Sequence, residues 1–144
     1  MKNKFEEKEM ELSVVVAEAC GALTDLADEM QEAYDNTPEG LQGAAIGEAR
    51  QEAADALQGL DQPSVHESIE AIKIKVHVPV RSPSAQSRLS RSDRRDDAIS
   101  MLQSALDTLI EMPEPRYAHV DALMEELEQL IGEAEAVEFP GRNV

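Results

Sequence analysis

Seven cationic side chains, Lys73, Lys75, Arg81, Arg88, Arg91, Arg94 and Arg95, stand within residues 73–95 of a chain whose net charge is −17. Asp93 is the one acid among them. A guanidinium is a planar fork of donors that matches a carboxylate or a phosphate with two parallel hydrogen bonds. The chemistry offered here is therefore anion or partner binding. The anion could be a nucleotide held between subunits, a phosphate, or the chain's own Asp and Glu. The run Arg81–Arg95, RSPSAQSRLSRSDRR, holds five Arg and five Ser. It has too little apolar surface to order itself. It is expected to be a flexible linker that orders only against an anionic partner or the protein's own acidic helices.

Other chemistry finds little footing. One cysteine, Cys20, excludes an intramolecular disulfide and reads as a packed thiol. His66, His77 and His119 are far apart and, with a single Cys, lack zinc spacing. No Glu-x-x-His pair of the di-iron type is present. Gly40-Leu-Gln-Gly43 lacks the Lys-Ser/Thr of a phosphate-binding loop. Acidic pairs such as Glu125/Glu126 flank seam leucines and read as solvated faces. No serine nucleophile with a neighbouring base is identifiable. The reading is of a non-enzyme without a cofactor.

The charge is distributed in blocks. Residues 1–72 carry −13, residues 73–95 carry +6 and residues 96–144 carry −10. Acidic helices repel phosphates, so direct binding of duplex nucleic acid through them is not expected, whereas a basic protein surface is a fitting partner. The opening MKNKFEEKEMEL turns acidic where a secretory apolar region would stand, and the longest apolar runs are too short for a membrane span. A cytoplasmic protein with no membrane partner is expected.

The elements that must position these residues are mostly helices. Leu12, Val16, Ala19, Leu23, Leu26, Met30 and Ala33 are spaced 4-3-4-3-4-3, which predicts a first helix from about Phe5 to Tyr34. Thr37-Pro38-Glu39 breaks it, with Thr37 as a cap for the following turn. Ile46, Ala49, Ala53, Ala56 and Leu60 then predict a helix over about 44–60. Ala98, Leu102, Ala105, Leu109 and Met112 predict a third, capped by Ser92 or Asp93. After Pro113 and Pro115, the residues Val120, Leu123, Leu127, Leu130, Ala134 and Val137 predict a fourth. The fold class is all-α: two helical hairpins with coiled-coil-like seams, residues 1–62 and 96–144, joined by residues 63–95. The first helix outruns its partner. Its overhanging stripe, within the seam Leu12, Val16, Ala19, Leu23, Leu26 and Met30, calls for a second copy of the chain or the second hairpin.

Between the hairpins, Ser64-Val65-His66-Glu67 reads as a capping box opening a short helix at 65–71. Ile72, Ile74, Val76, Val78 and Val80 then alternate with polar residues, which predicts a strand over 72–80. A lone strand needs a symmetry mate, another protein's sheet, or an extended lie along the surface.

The run Gln31-Glu-Ala-Tyr-Asp-Asn-Thr-Pro-Glu-Gly-Leu-Gln42 resembles a turn cassette found in small acidic helical-hairpin proteins of bacteriophages and prophages. The closing Val137-Glu-Phe-Pro-Gly-Arg142 resembles their short tails. The resemblance covers about 50 residues and implies a viral or mobile-element origin and a helical hairpin, with no activity or catalytic residue attached. The expected function is that of an oligomeric, phage-encoded interaction protein binding a host protein, for example by inhibiting a defence or nucleic-acid-processing enzyme. A nucleotide sponge built on the basic centre and a virion or assembly accessory are the alternatives.

Overall fold

A computed structural model describes residues 4–87, 89–113 and 118–140. The protein is mostly helical and carries a small two-stranded antiparallel sheet. In chain order the elements are β1 (Lys4–Glu11), α1 (Leu12–Asp35), α2 (Glu39–Gln42), α3 (Ala45–Gln58), β2 (Lys73–Val80), α4 (Pro83–Ser87), α5 (Arg91–Glu111) and α6 (Ala118–Glu135). Helix α1 is central: α3 packs on one part of it and α5 on another, while α6 lies against α5.

The first helix begins at Leu12, not near Phe5. Residues 4–11 form a strand that pairs antiparallel with β2, from Lys4 opposite Val80 to Glu11 opposite Lys73. Glu and Lys are good helix formers, so the local sequence favours a helix. Tertiary pairing overrides that preference. Ile74 and Val76 face the core with no exposure, where α5 packs on β2, and β1 pairs with the backbone edge that β2 would otherwise leave open. On the opposite face Glu11, Glu9 and Glu7 stand across from Lys73, Lys75 and His77, and opposite charges across an antiparallel pair stabilise it by about 0.2–1 kcal/mol each. The 72–80 strand is thus paired within its own chain. Glu11 has extended backbone, and the chain passes from strand to helix without a loop.

The overhang of α1 is also covered in one chain. Leu12, Val15, Ala19, Leu26 and Met30 have no exposure, and Val16 and Leu23 are 4% exposed. Of the two covers expected for this stripe, a second copy of the chain or the second hairpin, it is α5 of the second hairpin, with the sheet, that packs there. Buried residues of α1, α3, β2, α5 and α6 form one apolar cluster. The stripe Leu12, Val16, Ala19, Leu23, Leu26 and Met30 is therefore intrachain core, and its burial gives no reason for a second copy.

Two local expectations are corrected. The segment before β2 is a turn over residues 67–71 instead of a helix. Ser64 donates its backbone N–H to Glu126 (3.4 Å), and the Ser68 N–H is accepted by His66 Nδ1 (3.1 Å), so the Ser64/Glu67 box does not form. Helix α5 starts at Arg91 and is capped by Ser90, whose hydroxyl accepts from the Asp93 N–H at 3.0 Å.

Thr37 does not cap α2. It is the buried polar residue at the α1–α3 corner: its hydroxyl donates to Ala33 O (2.8 Å) and accepts from Arg50 Nη1 (2.8 Å). Next to it, Gly47 lets α2 approach α3. A Cβ there would lie 2.4 Å from Gln42 O and 2.5 Å from Leu41 O.

Candidate functional site: the basic segment and its carboxylates

The Arg-rich run is not a free tether. Residues 83–87 form α4, and residues 91–95 are the first turn and more of α5. Three carboxylates and a carbonyl account for this order. Arg81 forks onto Asp97, Nη1 to Oδ2 at 2.8 Å and Nη2 to Oδ1 at 3.0 Å. Arg94 forks onto Glu29 of α1, with Nη2 to Oε1 at 2.6 Å and Nη1 on Oε2. Arg91 Nε lies 3.5 Å from the same carboxylate. Arg95 donates to Val137 O, pairs with Asp96 at 3.0 Å and sets its guanidinium 5.7 Å from the centre of the Phe139 ring.

Glu29 is the focus of this cluster. The bonded Arg94 guanidinium holds its carboxyl below the usual glutamate range; partial burial opposes that shift, and the charges of Arg94 and Arg91 reinforce it. Arg94 is held correspondingly more firmly protonated by its bond to Glu29. Cations at a helix N-terminus oppose the helix dipole. Arg91, Arg94 and Arg95 sit there, and the carboxylate of Glu29 offsets that conflict while tying α5 to α1. Half-buried, bidentate Arg–carboxylate pairs are stronger than exposed Lys pairs.

Of the other cations singled out, Lys73 reaches Glu11 at 3.7 Å, with both side chains about half exposed. Lys75 is exposed and stands opposite Glu9. Lys73, Lys75 and His77 share a shallow groove of about 390 Å³ with Ser104, Asp107, Thr108 and Glu111. Its rim mixes both signs of charge. Arg88 lies outside the described residues. Of the strand residues, Ile74 and Val76 are buried, and Ile72 and Val78 are half-buried.

The basic residues are therefore brought together in three places, against Asp97, against Glu29 and across from β1, with no single anion pocket among the described residues. An anion entering the α5 cluster would have to displace Glu29 from Arg94. That weighs against the nucleotide sponge.

A further contact has no signal in the sequence. His66 and His119, 53 positions apart, stack with ring centroids 3.6 Å apart and 6° between planes. His66 Nδ1 is also 2.8 Å from Ser68 Oγ. Parallel stacked rings do not converge their nitrogens on one ion. Among the described residues no group of three or more His, Cys, Asp and Glu could hold a metal ion. No described helix is long and apolar enough to cross a membrane. Nothing in the sequence could have signalled the stack, because the loop carrying His66 reads as a helix by its capping box. No family model matches the chain, and neither a curated protein nor a solved structure matches it.

Proposed function

We propose that the chain is a non-enzymatic interaction protein of phage type that binds a basic surface of a host protein through its acidic helix faces. One observation carries this reading. Arg81, Arg94 and Arg95 turn inward onto Asp97, Glu29 and Val137 O, so they leave the carboxylates on the exposed faces of α1 and α6 unmatched by the basic segment. On α6, Glu125, Glu128 and Glu135 are exposed on the side opposite the buried Leu123, Leu127 and Leu130. On α1, Asp25, Asp28 and Glu32 are exposed likewise. Carboxylates at intervals of three, four and seven residues run along one side of a helix. Held rigidly, they present a row of negative charge to a basic cleft, which raises the association rate and selects against acidic competitors. A cleft that normally takes a nucleic-acid backbone is the natural target, and occupying it inhibits the enzyme that owns it.

Capture from a bacterial host lysate tests the reading. The tagged protein should retain a basic protein that elutes as salt is raised. The triple variant Glu125→Lys, Glu128→Lys, Glu135→Lys should keep its helix content and lose the capture. A lysate that yields nothing above background, or a partner retained equally by the triple variant, would overturn it.

A further inference from the structure

The small sheet has an open side. Among the described residues it is two-stranded; β2 has β1 on one edge and α5 against it, and β1 packs chiefly against β2 and against α1, its own continuation. Glu6, Glu7, Lys8, Glu9 and Glu11 are all exposed. β1 is eight residues long, holds no Pro or Gly, and its register with β2 runs without a bulge. Most exposed edges are short, kinked or interrupted, because a long regular edge is a template for another strand.

The phase of the ladder can be read. Leu12 donates its N–H to Ile72 O at 2.8 Å, continuing the register one residue past the strand. Antiparallel pairs alternate between those that exchange hydrogen bonds and those that do not. The pairs of Met10, Lys8, Glu6 and Lys4 are then the bonded ones, and Phe5, Glu7, Glu9 and Glu11 turn their N–H and C=O away from β2. Pro79 stands opposite Phe5, a non-bonded position where its missing N–H is not needed by the ladder.

The outward backbone groups and the glutamate side chains fall on the same residues. Glu7, Glu9 and Glu11 recur every ~6.8 Å along the strand. An incoming strand that bonds to β1 must set its alternate residues directly opposite these three. We infer that the free edge of β1 accepts an extended basic segment of another protein as a third strand, one with Lys or Arg at every second position, as β2 itself has at Lys73 and Lys75. The main chain supplies the adhesion and the glutamates supply the choice of partner, which is strand addition with a charge code.

A second copy does not fit. Two β1 edges meeting antiparallel about a two-fold axis must pair odd with odd residues. Centring on Lys8 sets Glu7 against Glu9 twice and Lys8 against Lys8. Centring on Glu7 or on Glu9 sets that glutamate against itself. Like charges directly opposed destabilise a pair, so the edge rejects its own kind. β1 carries four Glu and two Lys, and the cations of β2 lie one strand further away, ~9.6 Å from the incoming chain, beyond the ~8 Å screening length at physiological salt.

The inference rests on the reading of this chain as a binder of basic partners, but it uses a different element from the α6 face, so the two fail separately. The test is amide hydrogen exchange on the whole protein with two blocked octapeptides, alternating Lys-Thr and alternating Glu-Thr. With the Lys peptide, the N–H groups of Glu7, Glu9 and Glu11 should slow by at least about tenfold, while those of Lys8 and Met10, already bonded to β2, stay as they are. The Glu peptide should protect none of them. Glu9→Pro removes one outward donor and Glu7→Lys with Glu9→Lys reverses the code; both should keep the helix signal and lose the protection. Unchanged exchange at the three glutamates with the Lys peptide, equal protection by the Glu peptide, or exposure of β2 amides through strand displacement would each overturn the inference.

Discussion

At the scale of single residues, buried groups that meet backbone are the sensitive points. Gly47→Ala drives a methyl into the Leu41 and Gln42 carbonyls, where backbone cannot yield cheaply, so a loss of about 1–3 kcal/mol is expected in urea unfolding. Thr37→Val removes the hydroxyl between Ala33 O and Arg50 and should cost about 1–3 kcal/mol; Thr37→Ser, which keeps that oxygen, should recover most of it. Glu29 sets the response to acid. Its folded carboxyl titrates lower than in the unfolded chain because Arg94 bonds it, so its contribution is present above the unfolded value, ~4.3, and disappears as pH falls through the folded one. Glu29→Gln should therefore be less stable than the natural chain at pH 7, and the gap should close as the solution is acidified. Thermal melts at pH 7 and pH 3 measure it. Burial pushes the Cys20 thiol up, so a thiol reagent should label it far more slowly in the native protein than in denaturant.

At the scale of elements, cross-strand charge is expected to hold β1 in place. Lys73→Glu sets a glutamate against Glu11, and restoring the pair as Glu11→Lys with Lys73→Glu should return about 0.2–1 kcal/mol in a double-mutant cycle. Here the sequence was legible in part. The helices could be read because Leu, Val and Ala recur at helical spacing, and on α6 those positions are buried, as in Leu123, Leu127 and Leu130; on α3 the face was misplaced, since Ile46 and Ala56 are exposed and Gly47, Ala53, Ala54 and Leu57 are the buried residues. β2 could be read because Ile74 and Val76 alternate with lysines. β1 could not, since its own residues favour a helix and its reason for being a strand lies some 70 positions away. The usable signal was a match between distant segments: Glu at 7, 9 and 11, and Lys, Lys, His at 73, 75 and 77. For the linker, docking on the protein's own acidic helices was one of two open expectations, and the arginines do meet Glu29 and Asp97; which of the two would hold was not legible. Composition says what Arg and Ser do in water, and not that Glu29 and Asp97 wait within reach.

At the scale of the whole molecule, the cores of the two helical segments are one cluster, so a break in either should unfold both. Leu23→Asp is expected to abolish the cooperative melt, and light scattering of the natural chain at micromolar concentration should return the mass of a single chain. With a net charge of −17, repulsion among exposed carboxylates outweighs the few ion pairs. Raising sodium chloride from low salt to physiological levels should raise the melting temperature, because screening acts on the many repulsions more than on the half-buried arginine pairs.

The direct passage from β1 into α1 has a consequence during synthesis. Glu11 and its partner Lys73 are 62 positions apart. A ribosome adding about 5–20 residues per second leaves the first strand waiting roughly 3–12 s for its mate. Helix α1 can begin to coil at once, and it holds the strand outward at its start, a bare template in a crowded cytosol. The glutamates that later choose a partner serve first as gatekeepers against aggregation. Replacing Glu7, Glu9 and Glu11 with Thr should therefore leave the purified, refolded protein sound while driving much of the newly made chain into inclusion bodies.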